Sequence, residues 1–177
     1  AAFAYAIMSF LMTATPINMH VMEHYSLNKT GIVIQLHIVS MFLPSLITGN
    51  LIKKFGHSKI IYAGVALYIL TILLSFLEPS FFNYILALVF LGLGWNFLYL
   101  SGTGLLVLSY REEEKYKAQG FNDVLVFSIQ ALASLSAGYM LNITSWKAMN
   151  LITIPFLVLI IFSSIRADLS KDGKLKN

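Results

Sequence analysis

Cysteine is absent from the 177 residues of this chain, and charged residues are scarce. Without cysteine there is no disulfide framework, no thiolate metal site and no cysteine nucleophile. Asp, Glu, Lys and Arg make up 11% of the residues, where a soluble domain carries about 25%. A water-soluble fold of this size needs far more charge to cover its surface. The composition therefore excludes a soluble enzyme, a nucleic-acid-binding domain and a disordered tail.

Long apolar segments take the place of charge, because 58% of the residues are hydrophobic or aromatic. Six segments reach the roughly 20 mostly apolar residues that a membrane-spanning helix needs. They are 2–24, 31–52, 59–77, 81–109, 120–141 and 148–165. We predict an all-α membrane protein, with a six-helix transmembrane bundle over 1–166 and a tail over 167–177. The chain starts in an apolar run without a basic n-region, so we expect this run not to be a signal peptide, and we expect the chain to belong to a longer polypeptide.

Proline predicts where these spans bend. Pro16, Pro44 and Pro155 lie inside the first, second and sixth spans, and proline in a helix interior is the commonest cause of a kink. The second span is also the least apolar, because it contains Gln35 and His37.

The distribution of lysine and arginine predicts the orientation of the bundle. Of the 12 Lys and Arg residues, all except Lys29 and Lys147 lie in alternate connections or in the tail. The others are Lys53, Lys54, Lys59, Arg111, Lys115, Lys117, Arg166, Lys171, Lys174 and Lys176. Because positive residues accumulate on the cytoplasmic side, both termini are predicted to be cytoplasmic. The net charge of +4 is thus a sign of topology and gives little support to nucleic-acid binding.

Polar side chains line up on one face of the first, second, fourth and fifth spans when residues are placed at 100° steps. The middles of the third and sixth spans contain no amide or ionisable side chain. Ser and Thr at such positions are typical of close helix packing. Amides and ionisable groups are costlier in lipid and favour a water-filled cavity. The predicted pathway residues are Thr13, His20, His37, Asn96, Tyr99, Thr103, Gln130 and Ser134.

Two short motifs carry a resemblance to a known family. The connection from Gly49 to Lys59 resembles the G-x-L-x-D-R-x-G-R/K loop motif of the major facilitator superfamily. The matching positions are Gly49, Leu51, Lys54, Gly56 and Lys59, and Lys53 stands where the motif has Asp. The segment from Gly138 to Lys147 is similar to the G-x-L-x(4)-G-W-R segment that closes the fifth or eleventh helix, with Ser145 in place of the second Gly.

Most of the remaining chain resembles a bacterial permease group, through the segments 12–16, 35–37 and 94–97. The resemblance implies the C-terminal half of a twelve-helix secondary transporter in the bacterial inner membrane, built as two inverted three-helix repeats. It implies pathway helices at the first, second, fourth and fifth positions, and alternating access against a missing N-terminal half. The implied substrate is a small organic molecule or ion. Titratable His20 and His37 motivate proton coupling, as in a symporter. No cofactor is implied.

Several residues leave alternatives open. Asp123 is a helix-start cap, a salt-bridge partner of Lys54 or Arg111, or a gating or proton-coupling group. The charge run from Glu112 to Lys117 is a solvated helix end or a gate contact. Trp95 and Tyr99 either stack on a substrate or pack.

Two other functions compete with the transporter of two bundles. One is a natural six-helix half-transporter or membrane subunit that dimerises. The other is a membrane metallopeptidase, because His20, Glu23 and His24 match the H-x-x-E-H zinc motif.

Overall fold

The computed structural model describes residues 1–174, and nearly all of them are helical. The helices are α1 Ala2–Ile17, α2 Leu27–Phe42, α3 Ser45–Phe55, α4 His57–Leu74, α5 Phe81–Val107, α6 Lys115–Ile143, α7 Trp146–Ile152 and α8 Ile154–Lys174. Five helical segments are long and apolar enough to cross a membrane, and there are six if the bent pair α2–α3 is counted as one span. The predicted all-α membrane fold is confirmed.

The spans bend where the sequence has proline. The axes of α2 and α3 differ by 42° across Leu43 and Pro44, because proline lacks the N–H that a continuous helix needs and its ring clashes with the preceding turn. Pro16 lies in α1, which continues as a π-helical turn, Asn18–Met22. The sixth span breaks at Thr153, before Pro155.

The two largest differences from the predicted boundaries lie in the fifth and sixth spans. The fifth span was predicted to begin at residue 120, but α6 begins at Lys115, after a 3₁₀ turn over Glu112–Glu114. Lys and Gln are good helix formers, so the helix continues beyond the apolar run that predicted it. Helix α8 likewise runs through Lys174, so residues 167–174 of the predicted tail are helical. Lys176 of the predicted tail lies outside the described residues.

Helix α5 is the centre of the bundle and packs against α1, α2 and α4, while α1 packs against α6. Glycines permit the closest approaches. A Cβ on Gly94 would lie 2.6 Å from the Tyr68 ring, and one on Gly64 would lie 2.7 Å from Leu98. Tyr68 also joins α4 to α1, because its hydroxyl donates to the Ala4 carbonyl at 2.8 Å. The two glycine contacts therefore fix the crossing of α4 and α5.

Long apolar faces remain uncovered on α2, α3 and α6. Leu46 is 78% exposed and Leu135 is 82% exposed. Monomeric soluble proteins rarely expose contiguous apolar surface of this extent. These faces are consistent with contact with lipid or with another set of helices.

Candidate functional site

Five aromatic rings from four helices meet on one side of the bundle, and we call them the aromatic cluster. They are Tyr5 of α1, Phe42 of α2, Trp95 and Tyr99 of α5, and Phe127 of α6. Trp95 and Tyr99 are stacked with centroids 5.0 Å apart and an interplanar angle of 10°. Tyr5 meets Trp95 edge to face at 5.2 Å. The four contributing helices are the four whose polar faces predicted a pathway.

The rings of the cluster differ in exposure, with a buried ring at its base and exposed rings at its edge. Trp95 is only 5% exposed, whereas Phe42 is 59% and Phe127 is 51% exposed. The indole Nε1 of Trp95 is buried and has no hydrogen-bond partner among the described residues. A buried indole N–H normally finds an acceptor. The cluster therefore has exposed rings at its edge, Phe42 and Phe127, and a buried, unpaired donor beneath them.

Helical spacing explains how these rings come together. Tyr5 lies one turn before Ser9 and two turns before Thr13, so it continues the polar face of the first span. Trp95 and Tyr99 are four residues apart on α5 and share a face. The pathway residues predicted for the first span begin at Thr13 and do not include Tyr5. Extending that face by two turns toward the N-terminus identifies Tyr5.

A polar strip adjoins the cluster between α1 and α6. The hydroxyls of Thr13 and Ser134 are 2.9 Å apart and share a hydrogen bond. Gln130 is half-buried one turn before Ser134 on the same helix, and Phe127 lies one turn earlier still. Thr13 lies eight residues after Tyr5, about 12 Å along the helix. Aromatic and hydrogen-bonding groups thus follow one another along the same face.

The structure places His37 between α2 and α5. The residue is fully buried, and its ring Nδ1 lies 2.7 Å from the Leu88 carbonyl. A carbonyl only accepts, so Nδ1 carries a proton and donates. Nε2 is buried without a partner among the described residues, so in the neutral ring it is a free acceptor.

Helix α2 turns its other face outward. Gln35 and Phe42 are exposed, while His37 and Ser40 pack against α5 near Gly92. The polar stripe predicted for the second span therefore faces a neighbouring helix. Phe42, on the opposite face, joins the aromatic cluster, and the stripe gave no signal for it.

Asn96 is also buried at the contact between α5 and the second span. Its side chain bonds Met41, Ser45 and Thr48. These three residues flank the break between α2 and α3.

The other predicted pathway residues lie apart from this contact. Tyr99 belongs to the aromatic cluster. Thr103 donates its hydroxyl to the carbonyls of Tyr99 and Leu100 on its own helix, at 2.8 and 3.2 Å. His20 is exposed in the π-helical turn, with Nδ1 lying 2.8 Å from the Tyr25 carbonyl.

The loop motif forms the turn from α3 to α4. Gly56 has φ +86°, a left-handed conformation that side chains rarely adopt, which explains the glycine of the motif at this position. Gly49, Lys54 and Lys59 are exposed. The Lys54 ammonium lies 5.2 Å from the ring centroid of Phe55.

Asp123 is not a helix-start cap, and that prediction is wrong. Helix α6 begins at Lys115, eight residues earlier, and Glu114 is its N-cap residue. The Asp123 carboxylate accepts from the Asn122 amide at 3.2 Å. No ion pair joins it to Lys54 or Arg111 in the part of the chain that the structure describes. Asp123 is exposed near the start of α6.

The H-x-x-E-H interpretation fails on geometry. It needs His20 and His24 on one continuous helix, but the helical segment ends at Met22. His24 has φ +56°, which turns the chain out of the helix. Among residues 1–169, whose side chains the structure describes, no three His, Asp or Glu side chains lie close enough to hold a metal ion. The arrangement that a metallopeptidase of this type requires is not formed.

Comparison with known proteins agrees with this architecture. The riboflavin transporter RfnT of Brucella anthropi is 36% identical over 158 residues, which cover 89% of this chain and 39% of that protein. The uncharacterized MFS-type transporters YddS and YdeG of Bacillus subtilis are 37% and 36% identical over 84% and 82% of this chain, and each match covers 34% of the relative. The chain thus spans less than half the length of these curated relatives.

No solved structure matches the chain. The family model for the Major Facilitator Superfamily matches residues 1–176, almost the whole chain. The resemblance read from the loop motif is thereby confirmed: the chain is a multi-pass membrane protein that belongs to the Major Facilitator Superfamily.

Proposed function

We propose that the chain forms one wall of the substrate pathway of a secondary active transporter. The aromatic cluster is the observation that carries this proposal, because four helices contribute rings to one open-sided site. A second six-helix bundle would close that side, and alternating access would follow from rocking one bundle against the other. The chain covers 39% of the riboflavin transporter RfnT, so that relative has room for a second bundle of this size.

The proposed substrate is a small, flat, aromatic solute. Stacked and edge-to-face rings are each worth about 0.5–1.5 kcal/mol beyond the area they bury, so several open ring faces favour a planar ring system. The relative RfnT is named as a riboflavin transporter, and riboflavin has this chemistry. Thr13, Gln130 and Ser134 would meet its polar part.

The first experiment measures uptake of riboflavin and related heteroaromatics by the full-length protein in proteoliposomes. We expect Tyr99→Leu and Phe127→Leu to raise KM about tenfold, since each change removes a ring but keeps apolar bulk. Phe156→Leu is the matched control, because Phe156 pairs with Phe3 at 5.6 Å, away from the cluster. Transport with an unchanged KM in both cluster variants would refute the aromatic site and leave the transporter proposal standing.

Proton coupling is part of the proposal and rests on His37. The free Nε2 acceptor can take up a proton inside the bundle, at a site where charge is costly unless it is compensated. We expect His37→Gln, which keeps a donor for the Leu88 carbonyl, to abolish uptake driven by a pH gradient. Counterflow exchange of substrate should persist in the same variant. Unchanged gradient-driven accumulation would exclude this role for His37.

The proposed setting is a bacterial inner membrane, with both termini in the cytoplasm, as the lysine and arginine distribution predicts. The partner would be an N-terminal bundle in the same polypeptide. A second copy of a six-helix chain is the alternative, because it too would cover the exposed faces of α2 and α6. The coding sequence upstream of Ala1 distinguishes them: six further helices there establish the first arrangement.

A further inference from the structure

We propose that Asn96 is a positioning residue that holds the break in the second span, and that α3 swings about this break as an inner gate. The inference goes beyond the proposed substrate site, because Asn96 acts through α3 without contacting a solute. The hinge itself does not depend on the proposed function, but the role of α3 as a gate rests on the proposed alternating access.

The Asn96 side chain uses both ends of its amide at the break. Its Nδ2 donates to the Met41 carbonyl at 2.7 Å and to the Ser45 hydroxyl at 2.6 Å. Its Oδ1 accepts from the Thr48 hydroxyl at 2.6 Å. One side chain of α5 therefore bonds the last turn of α2 and the first turn of α3 at the same time.

The break needs such a partner because of Pro44. Proline has no N–H, and the bend removes carbonyls near residue 41 from the regular helical pattern. In lipid an unsatisfied backbone carbonyl is costly, and at proline breaks neighbouring helices usually supply the missing partner. Asn96 supplies it to Met41. The 42° bend is thus held in place by a side chain from the adjacent helix.

Helices α2 and α3 differ in how firmly they are attached. Helix α2 is fixed one turn before Asn96, where a Cβ on Gly92 would lie 2.7 Å from the His37 carbonyl. In α3, Thr48 is the buried residue, and its neighbours Leu46 and Ile47 are exposed. The Thr48–Asn96 bond is therefore the main buried attachment of α3 to the bundle.

The Thr48 hydroxyl has a second acceptor, which makes the attachment releasable. It also lies 2.8 Å from the Pro44 carbonyl, within its own span. When α3 moves away from α5, the Thr48 hydroxyl keeps Pro44 as its acceptor, and the Asn96 Nδ2 keeps Met41. The Asn96 Oδ1 loses its donor, so release costs one hydrogen bond and the attached position of α3 is favoured. The inner end of α3 carries Lys53 and Lys54, which would move with it.

Distance measurements between spin labels test the hinge in the full-length protein in nanodiscs. The native chain has no cysteine, so labels at Lys53→Cys on α3 and Lys117→Cys on α6 add the only thiols within it. Any cysteines elsewhere in the protein would be replaced by serine. We expect Thr48→Val, which keeps the side-chain volume, to raise the population of a displaced α3 about three- to tenfold. Asn96→Ala should do the same.

Ser101→Ala is the matched control. Ser101 is buried on the same helix as Asn96, and its hydroxyl has no partner among the described residues. It should leave the distance distribution unchanged. If Thr48→Val and Asn96→Ala give the native distribution, or if Ser101→Ala shifts it equally, the hinge is refuted.

A transport readout separates positioning from substrate contact. We expect Thr48→Val to change kcat at least threefold with KM within twofold of the native value, because the substrate site is untouched. A tenfold rise in KM with unchanged kcat would overturn the positioning role. A protein that moved none of the tested solutes would contradict the proposed function, while the label distances would still decide the hinge.

Discussion

At Gly92, the backbone of α5 approaches α2 so closely that a single added carbon would collide with it. The nearest atoms are the Ser40 hydroxyl, the His37 carbonyl and, at 3.1 Å, the Met41 amide nitrogen. Because this position has no side chain, the polar face of α2 packs closely against α5. One glycine thus determines that His37 and Ser40 are buried and that Phe42 faces outward.

Adding one methyl group at this contact should loosen the bundle. We expect Gly92→Ala to lower the stability of the full-length protein by about 1–3 kcal/mol, the usual cost of overpacking. Gly31→Ala, in the same bundle but with nothing within 4 Å of the added carbon, should be neutral or stabilising, because Ala favours helix over Gly. Thermal unfolding in detergent gives both values. Equal melting temperatures for the two variants would contradict the close contact.

Residue spacing predicted the helices that contribute to the aromatic cluster, but it did not predict all of the residues that form the cluster. The polar stripes selected the first, second, fourth and fifth spans, and these four helices build the aromatic cluster. On the second span, however, the stripe pointed to His37, and the exposed ring is Phe42 on the opposite face. The reason lies in Gly92, 55 residues away from His37 in sequence, so no pattern within α2 could reveal it.

Helices that begin at the predicted outer side start in the same way. Ser26, Ser80 and Ser145 accept from the backbone N–H three residues later, at 3.4, 3.2 and 3.2 Å. Such caps satisfy N–H groups that a first turn leaves unpaired. On the opposite side, α4 follows the left-handed Gly56 and has no side-chain cap among the described residues. The short outer connections are therefore closed by serine, and the loop motif is closed by glycine.

Removing one of these caps should destabilise a single helix start. We expect Ser80→Ala to cost about 1 kcal/mol, measured by thermal unfolding, with fraying at the outer start of α5 seen by hydrogen exchange. The control is Ser163→Ala, because the exposed Ser163 hydroxyl bonds the Leu159 carbonyl of its own helix and no other group among the described residues. Protection factors at residues 81–84 that match the native protein would argue against the cap.

The sequence predicted the spans well, because apolar composition identifies them. It predicted the ends of the helices less well. The six spans and the bend at Pro44 follow from hydropathy and from the missing proline N–H. The start of α6 does not, because residues 115–119 are helical but polar, and the apolar run begins later. The helical part of the first span also ends at Met22, before Glu23 and His24, and this end separates His20 from His24.

For the whole molecule, charge placement predicts which way the bundle faces. The absence of cysteine allows a direct test by single-cysteine labelling in cells, with any other cysteines of the full protein replaced. We expect Asn28→Cys to react with a membrane-impermeant maleimide in intact cells, and Lys54→Cys to react only after permeabilisation. Both positions are exposed, so accessibility to reagent is controlled by the membrane. The reverse pattern would invert the predicted topology.

The stacking of Trp95 on Tyr99 also gives the proposed site an optical signal of its own. The chain has two tryptophans, and the other, Trp146, is the first residue of α7. An aromatic solute entering the cluster would change the emission of Trp95, and a yellow flavin would absorb that emission directly. Replacing Trp146 by Phe would leave Trp95 as the sole indole fluorophore of this chain. The fluorescence of Trp95 would then report occupancy of the site during a transport cycle.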